Sequence, residues 1–315
     1  MSFSLEVKNE LSRIEPEKKC CQLAELAGFI RSCGSIKLVG GGKMKIVLTT
    51  ENPAIARHYK KLIKDYFDVE ASMEIGQSSS FKKNKQYIIS LDDRNNQKAE
   101  PILRETAILM IREGMNYFSD GIYQAHIKTK CCRKAYLRGL FLGSGTITSP
   151  QKSYHIEYIC ATETLANDIK KLINTFVDLH PKQTFRNKNY IVYIKEAEQV
   201  GDMLNIMGAH NQYFALEDIR MMKEARNKAN RISNCDNANM DKTLDAAQRQ
   251  LAAINKIKEK KGLDILPDKL KEVAILRLEN PEATLTELAK LVDPPMKKSG
   301  LNNRIRKIEE ISEKI

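Results

Sequence analysis

The chain has 315 residues, a formal charge of +12 at pH 7 and an isoelectric point near 9.2. Hydrophobic content of 42% and charged content of 29% are those of a water-soluble globular protein, and no apolar run approaches the ~20 residues needed to span a bilayer. Met1 to Arg13 carries Glu6, Lys8 and Glu10 where a signal peptide would be apolar, so a cytoplasmic location and no membrane partner are expected.

Seven cysteines, two pairs of them adjacent, do not read as a disulfide framework. The excess of positive charge favours an anionic partner, nucleic acid first.

Phe3 to Ile14 reads as a short helix that Pro16 ends. Cys20 to Cys33 follows as a helix with Ala24 and Gly28 four apart on one face, open to close approach by another backbone. Gly34 is expected at its C-cap in the left-handed conformation. Gly40-Gly41-Gly42-Lys43 lacks P-loop spacing and reads as a hairpin turn before the strand Met44 to Thr50. Pro53 to Phe67 is an amphipathic helix, and Gly76 to Ser80 a polar loop. Gln86 to Leu91 is a strand preceded by Lys82, Lys83 and Lys85. Glu100 to Ser119 is expected to supply the final helix of the first repeat and the bridge into the second.

At an offset of 111 positions the design recurs. Cys131-Cys132 repeats Cys20-Cys21, and Ala135, Gly139 and Gly143 share one face ahead of Gly145. The strand Tyr154 to Cys160, the helix Leu165 to Val177 and the strand Asn189 to Ile194 follow, the last preceded by Arg186 and Lys188. The repeat predicts two pseudo-symmetric halves with the two motif helices packed on each other through Ala24, Gly28, Ala135 and Gly139.

After Phe214 the strands stop. Glu217 to Arg231 is basic and Met-rich, and Ser233 to Asn239 reads as a polar break. Asp241 is expected to cap a spacer helix with Leu244, Ala247, Leu251, Ile254 and Ile257 on one stripe to Gly262. Pro267 opens a helix with Leu270, Val273, Ala274 and Leu278, closed by Asn280-Pro281. Thr284-Leu285-Thr286-Glu287 is a capping box, Asp293-Pro294-Pro295 a turn, and Ser299 the expected cap of a last helix.

In that last helix Leu301, Ile305 and Ile308 share a face, and Ser299, Asn303, Arg306 and Lys307 lie opposite. Met296 to Lys307 holds five basic residues and no acidic one. Basic residues at a helix N-terminus oppose the helix dipole, so phosphate partners explain them better than helix stability does. The arrangement predicts a helix-turn-helix on double-stranded DNA, with a turn longer than usual. Asn303 and Arg306 on that face are of the types suited to base edges, and Lys297, Lys298 and Arg304 are better placed for phosphates. Thr284, Thr286, Ser299, Asn302 and Lys307 complete the expected DNA-binding set.

Leu26-Ala27-Gly28-Phe29-Ile30-Arg31-Ser32-Cys33-Gly34 closely resembles the LAGLIDADG motif of homing endonucleases, and Leu137 to Gly145 is a more diverged copy. The resemblance implies an α+β fold of two αββαββα halves with the motif helices at their interface. It also implies acidic metal ligands at the penultimate motif position. Here Cys33 and Ser144 stand there, and Arg31 and Leu142 replace the other motif acid, so no catalytic residue, metal ligand or cofactor is assigned and nuclease chemistry is not expected.

A LAGLIDADG-like domain joined to a C-terminal helix-turn-helix resembles the WhiA family of Gram-positive bacteria. The stretch Asn230 to Asn239 with Lys242-Thr243, and the run Lys297 to Lys307, are similar to that family's signatures. The resemblance implies a non-enzymatic regulator of transcription at promoters, linked to sporulation, cell division and chromosome segregation and associated with the nucleoid. Its domains would be residues 1–217, with repeats about 15–105 and 106–217, a helical linker 218–262 and a helix-turn-helix domain 263–315. A nucleoid-coating or scaffold role, with a protein partner on the first domain, is the alternative, and an active nuclease the more distant one.

Repeat symmetry could gather the four thiols of Cys20, Cys21, Cys131 and Cys132. Adjacent helical cysteines point about 100° apart, so core packing at the start of two buried helices is the better reading than a zinc site. The five histidines show no metal-ligand spacing and read as structural or surface residues.

Overall fold

The computed structural model describes residues 2–77, 85–95 and 98–315. Two compact units divide the chain, Met1–Met222 and Lys223–Ile315.

In the first unit α1 (Phe3–Leu11) precedes the first half: α2 (Lys19–Cys33), β1 (Gly34–Leu38), β2 (Met44–Thr50), α3 (Pro53–Phe67), β3 (Ser72–Gln77), β4 (Lys85–Asp92) and α4 (Ala99–Glu105). A hairpin of β5 (Leu109–Arg112) and β6 (Met115–Phe118) follows. The second half is α5 (Lys130–Ser144), β7 (Gly145–Ile147), β8 (Ile156–Cys160), α6 (Glu163–Ile173), β9 (Lys182–Arg186), β10 (Asn189–Ile194) and α7 (Ala197–Met207). The two sheets share one strand order, β1-β2-β4-β3 and β7-β8-β10-β9, antiparallel throughout. This is the expected αββαββα pair.

Alternation explains how each sheet finds its core. Met44, Ile46 and Leu48 of β2 are buried on one face, and α3 packs over β2 and β4. Ile156, Tyr158 and Cys160 of β8 are the counterparts under α6. One continuous apolar core joins both halves through α2 and α5.

Several local expectations are corrected. α1 stops at Leu11, before Pro16. Gly34 is extended (φ −77°, ψ 137°), not left-handed. Glycine is needed there because a Cβ would strike the Ile30 carbonyl oxygen as the helix passes directly into β1. Gly76 and Gln77 lie inside β3, and Ser78 to Ser80 of the expected loop, with Lys82 and Lys83, lie outside the described residues. Glu100 to Ser119 holds the final helix of the first half and, as the bridge, a hairpin that the sequence does not announce. α4 ends at Glu105, and Glu113 (φ 52°) with Gly114 (φ 79°) makes the left-handed pair of a tight hairpin turn between β5 and β6.

α8 (His210–Lys261) runs through Ser233 to Asn239 without the expected break, and Asp241 caps nothing. Ser, Asn and Asp are weak helix formers but not breakers, and no glycine or proline occurs between His210 and Lys261. Residues 224–242 are exposed on all sides.

The second unit packs α9 (Asp268–Glu279), α10 (Leu285–Leu291) and α11 (Lys298–Glu313) against the end of α8. Ile254 and Ile257 join Leu270, Val273, Ala274, Leu288, Leu301, Ile305 and Ile308 in its core. Of the expected spacer stripe, Ala247, Ile254 and Ile257 are buried, whereas Leu244 is exposed.

Candidate nucleic-acid interface

The turn between α9 and α10 is built by a buried cation. The Arg277 guanidinium donates to the carbonyls of Asn280 (3.3 Å), Pro281 (3.4 Å) and Ala283 (2.7 Å). It gathers three carbonyls beyond the end of α9, of which that of Asn280 also accepts from Ala283 N–H (3.3 Å). α10 then starts on a complete capping box: Glu287 N–H donates to Thr284 Oγ1 (3.3 Å), and Thr284 N–H to the Glu287 carboxylate (2.8 Å). These bonds hold the Glu287 carboxyl below its usual range. Met296 N–H donates to the Ala289 carbonyl (3.0 Å), which ties down the segment carrying Asp293-Pro294-Pro295 and sets the entry to α11.

α11 is capped at Lys297, not Ser299, and no side chain bonds its first N–H groups. Ser299 lies inside the first turn. Two lysines at an uncapped N-terminus leave both ammonium groups and backbone donors open to an anion.

Leu301, Ile305 and Ile308 are buried. Lys297, Lys298, Ser299, Asn302, Asn303, Arg306 and Lys307 are exposed. Thr286 is exposed on α10 and Thr284 half-buried at its cap.

Arg304 differs from the rest of the set. It donates to the Lys269 carbonyl (3.4 Å) and lies 3.8 Å from the Glu272 carboxylate. Its position, three after Leu301 and four before Ile308, places it beside the apolar face, where it fastens α11 to α9.

Two clefts flank α11. One of about 170 Å³ is lined by Lys242, Thr243, Gln250, Arg277, Thr284 and Lys298. It contains two buried polar atoms with no hydrogen-bond partner among the described residues, Gln250 Oε1 and Arg277 Nε. The other, of about 550 Å³, lies between the start of α9 and Asn303, Arg304 and Lys307. The sequence reading missed Arg277 and Gln250 as site residues. The available signal was a cation at helical spacing between Ala274 and Leu278.

The motif helices of the first unit make a tight seam. A Cβ on Gly28 would lie 2.5 Å from the Tyr136 carbonyl oxygen, and one on Gly139 would strike the Glu25 carbonyl. Ala24 and Ala135 are buried beside them. A charge crosses this seam that the apolar pattern hides. The buried Glu25 carboxylate accepts from Arg138 Nε (2.9 Å) and Nη2 (2.6 Å) and contacts His58 Nε2 (2.8 Å). Arg138 also donates to the Met207 carbonyl (3.1 Å).

At the far end of the seam Cys33 and Ser144 stand at the positions of the motif acids. Cys33 Sγ donates to the Phe29 carbonyl (3.3 Å), and burial pushes its thiol up to about 12. Lys8 faces it, its pKa lowered by burial and partly restored by the Cys33 charge. Arg31 donates to the carbonyls of Ser119 (2.5 Å) and Ala107 (2.9 Å), and Leu142 is buried. The adjoining cavity of about 490 Å³ is lined by Lys8, Thr49, Glu51 and Asn52 among others. On the sheets, Lys45 pairs with Asp92 (3.7 Å), and Glu157 accepts from Thr146 and contacts His155.

At the near end of the seam the thiols of Cys20, Cys21 and Cys132 meet, with Cys131 beside them. Cys21 and Cys132 are buried, but Cys20 and Cys131 are exposed, so core packing accounts for only two of them.

Comparison with known proteins bears on both units. Residues 19–109 match the WhiA N-terminal LAGLIDADG-like domain, 133–226 the WhiA LAGLIDADG-like domain and 229–312 the WhiA C-terminal HTH domain. The Probable cell division protein WhiA of Thermoanaerobacter pseudethanolicus is 48% identical over 315 residues, covering all of this chain and 98% of that protein. The chain belongs to the WhiA family. The WhiA of Alkaliphilus metalliredigens, also named a probable cell division protein, is 43% identical over 314 residues, with the same two coverages.

The crystal structure of full-length DUF199/WhiA from Thermatoga maritima is 26% identical, with a TM-score of 0.61, and the match covers 100% of this chain and 99% of that one. The N-terminal LAGLIDADG domain of DUF199/WhiA, 24% identical with a TM-score of 0.51 over 66% of this chain and 90% of that one, shares the fold. This WhiA protein thus carries a LAGLIDADG-like scaffold and a helix-turn-helix domain of the kind that binds DNA. Among the described residues no helix is long and apolar enough to cross a membrane.

Proposed function

We propose that this WhiA protein is a sequence-specific DNA-binding regulator of transcription that acts on the nucleoid in cell division and chromosome segregation, and in sporulation where the organism sporulates. Residues 263–315 read promoter DNA, 218–262 connect, and 1–217 form a scaffold that does not cut DNA. The observation that carries the reading is the exposed face of α11. Asn302, Asn303 and Arg306 present base-reading groups there, between Lys297 and Lys298 on one side and Lys307 on the other. Among the described residues, none of these side chains has a hydrogen bond or ion pair within the protein. Ser299, Thr284 and Thr286 complete the phosphate side, with Lys242 added by the cleft it shares with Lys298. Arg304 serves to hold α11 in place.

Lack of cleavage follows from Cys33 and Ser144, which cannot supply the hard oxygen anions a hydrolytic metal needs. Magnesium-dependent cutting of plasmid DNA by rigorously purified protein would overturn that part.

A second reading, a scaffold for a protein partner, is favoured by the β5–β6 hairpin. Ile111 (61% exposed) and Phe118 (47%) on one face, and Met115 (70%) on the other, leave apolar side chains exposed on it. Chromosome-wide occupancy of the wild type against Arg306→Ala separates the readings. Regulation by α11 predicts discrete peaks that vanish in the variant, and scaffolding predicts unchanged occupancy with lost function on hairpin substitution.

A further inference from the structure

The start of the motif seam holds a cluster that neither the scaffold reading nor the DNA reading uses. Cys20 and Cys21 sit in the first turn of α2, and Cys131 and Cys132 in the first turn of α5. The Sγ atoms of Cys20, Cys21 and Cys132 all lie within 4.8 Å of one another, and Cys21 and Cys132 are 4.0 Å apart. Cys131, the neighbour of Cys132 on α5, lies beside this group of three with its Sγ 3.1 Å from Thr129 Oγ1. Thiols from both helices therefore gather at one end of the seam.

We propose that these four thiols form a tetrathiolate site for a soft divalent cation, zinc foremost. Zinc–sulfur bonds of about 2.3 Å in a tetrahedron put the sulfurs about 3.8 Å apart, and the Cys21–Cys132 distance is already close to that. The adjacent-cysteine objection, that neighbouring helical side chains diverge, is met by the packing. Cys20 and Cys21 of α2 both lie within 4.8 Å of Cys132 of α5, so ligands converge from two helices, and Cys131 reaches the site by turning away from Thr129.

The surroundings fit thiolates. Both pairs lie at helix N-termini, whose positive dipole end favours negative charge, although at α5 the Cys132 N–H already donates to Thr129 Oγ1. The α2 terminus has no side-chain cap. Lys18, Lys19, Lys130 and Arg133 flank the cysteines in sequence, enough positive charge to balance the net −2 of zinc with four thiolates. Arg133 Nε is a buried donor with no hydrogen-bond partner among the described residues. Exposure of Cys20 and Cys131 supplies an entry path. On binding, each thiol loses its proton to solvent as its Zn–S bond forms. No electron is transferred. The cation would fasten together the two ends of α2 and α5 that lie farthest from Gly34 and Gly145.

The test uses the full chain, purified with reductant and chelator and then titrated with cobalt(II) and zinc(II). One equivalent of cobalt is expected to give the intense visible bands of tetrahedral coordination and a thiolate-to-cobalt charge-transfer band, both removed by zinc. Cys20→Ser and Cys131→Ser change exposed thiols and should fold normally in chelator, yet each should weaken cobalt binding by at least about tenfold. Cys235→Ser, at an exposed cysteine of α8, should bind as the wild type. The proposal is overturned by weak octahedral cobalt spectra, by binding indifferent to Cys20→Ser and Cys131→Ser, or by a Cys21–Cys132 disulfide forming under reductant in place of metal uptake.

Discussion

The α2/α5 seam and the outer face of α11 are both helical, and both carry charge, but they treat it in opposite ways. In the seam the Glu25 carboxylate lies at 0% exposure with partners on both oxygens, and two glycines bring backbones within carbonyl contact. On α11 the cations point to solvent, and among the described residues only Arg304 is engaged by the protein. A charge fully satisfied inside a fold serves the fold. A row of cations left unsatisfied beside a helix N-terminus is available to something outside it. The difference separates what holds this WhiA protein together from what it does.

The largest expected effects lie in the seam. Glu25→Gln or Arg138→Met alone leaves a buried charge without its partner and should destabilise the first unit by about 3–5 kcal/mol in urea unfolding. Glu25→Met with Arg138→Leu should recover most of that loss. If the single variants unfold as the wild type does, the seam is not organised by this pair. Gly28→Ala forces a methyl against the Tyr136 carbonyl and should cost about 1–3 kcal/mol.

Smaller effects, of another kind, are expected on α11. Arg306→Ala should leave stability within about 0.5 kcal/mol while lowering discrimination between target and scrambled DNA by about 1–3 kcal/mol. Lys298→Ala should weaken all sequences alike and reduce the salt slope of binding by about one. Loss of stability in Arg306→Ala would blur the contrast between the two regions.

The smallest effect is one of pH. The folded-state pKa of Glu287 is depressed by its bonds to Thr284, so the stability it contributes is present above its unfolded value and is lost as pH falls through the folded one. The unfolding midpoint of the wild type should therefore converge on that of Glu287→Gln below about pH 4. A constant gap down to pH 3 would show that the capping box does not matter to α10.

Much of this was legible in the residues. The 111-residue offset located both halves, because small residues at fixed spacing record where backbones touch. The capping box at Thr284 and the apolar stripe Leu301, Ile305 and Ile308 located the last two helices. Four things were hidden, each for a physical reason. Ser233 to Asn239 looked like a break because its residues are weak helix formers, yet nothing in that run forbids a helix. The β5–β6 hairpin was masked by a short helix before it and by the unmarked pair Glu113-Gly114. Arg304 looked like a phosphate ligand because composition does not tell which side of a helix leans on its neighbour. The convergence of Cys20, Cys21, Cys131 and Cys132 depended on how closely α2 and α5 pack, which spacing alone does not set.

The central claim is that α11 reads sequence while the LAGLIDADG-like unit supports. The most direct measurement is competition binding at fixed salt, with a bound promoter fragment challenged by a scrambled duplex, for the wild type and for Arg306→Ala. The account predicts a variant that is folded and retains its affinity for scrambled DNA but has lost roughly tenfold or more of its preference for the promoter. An unchanged preference would contradict it and move recognition away from α11.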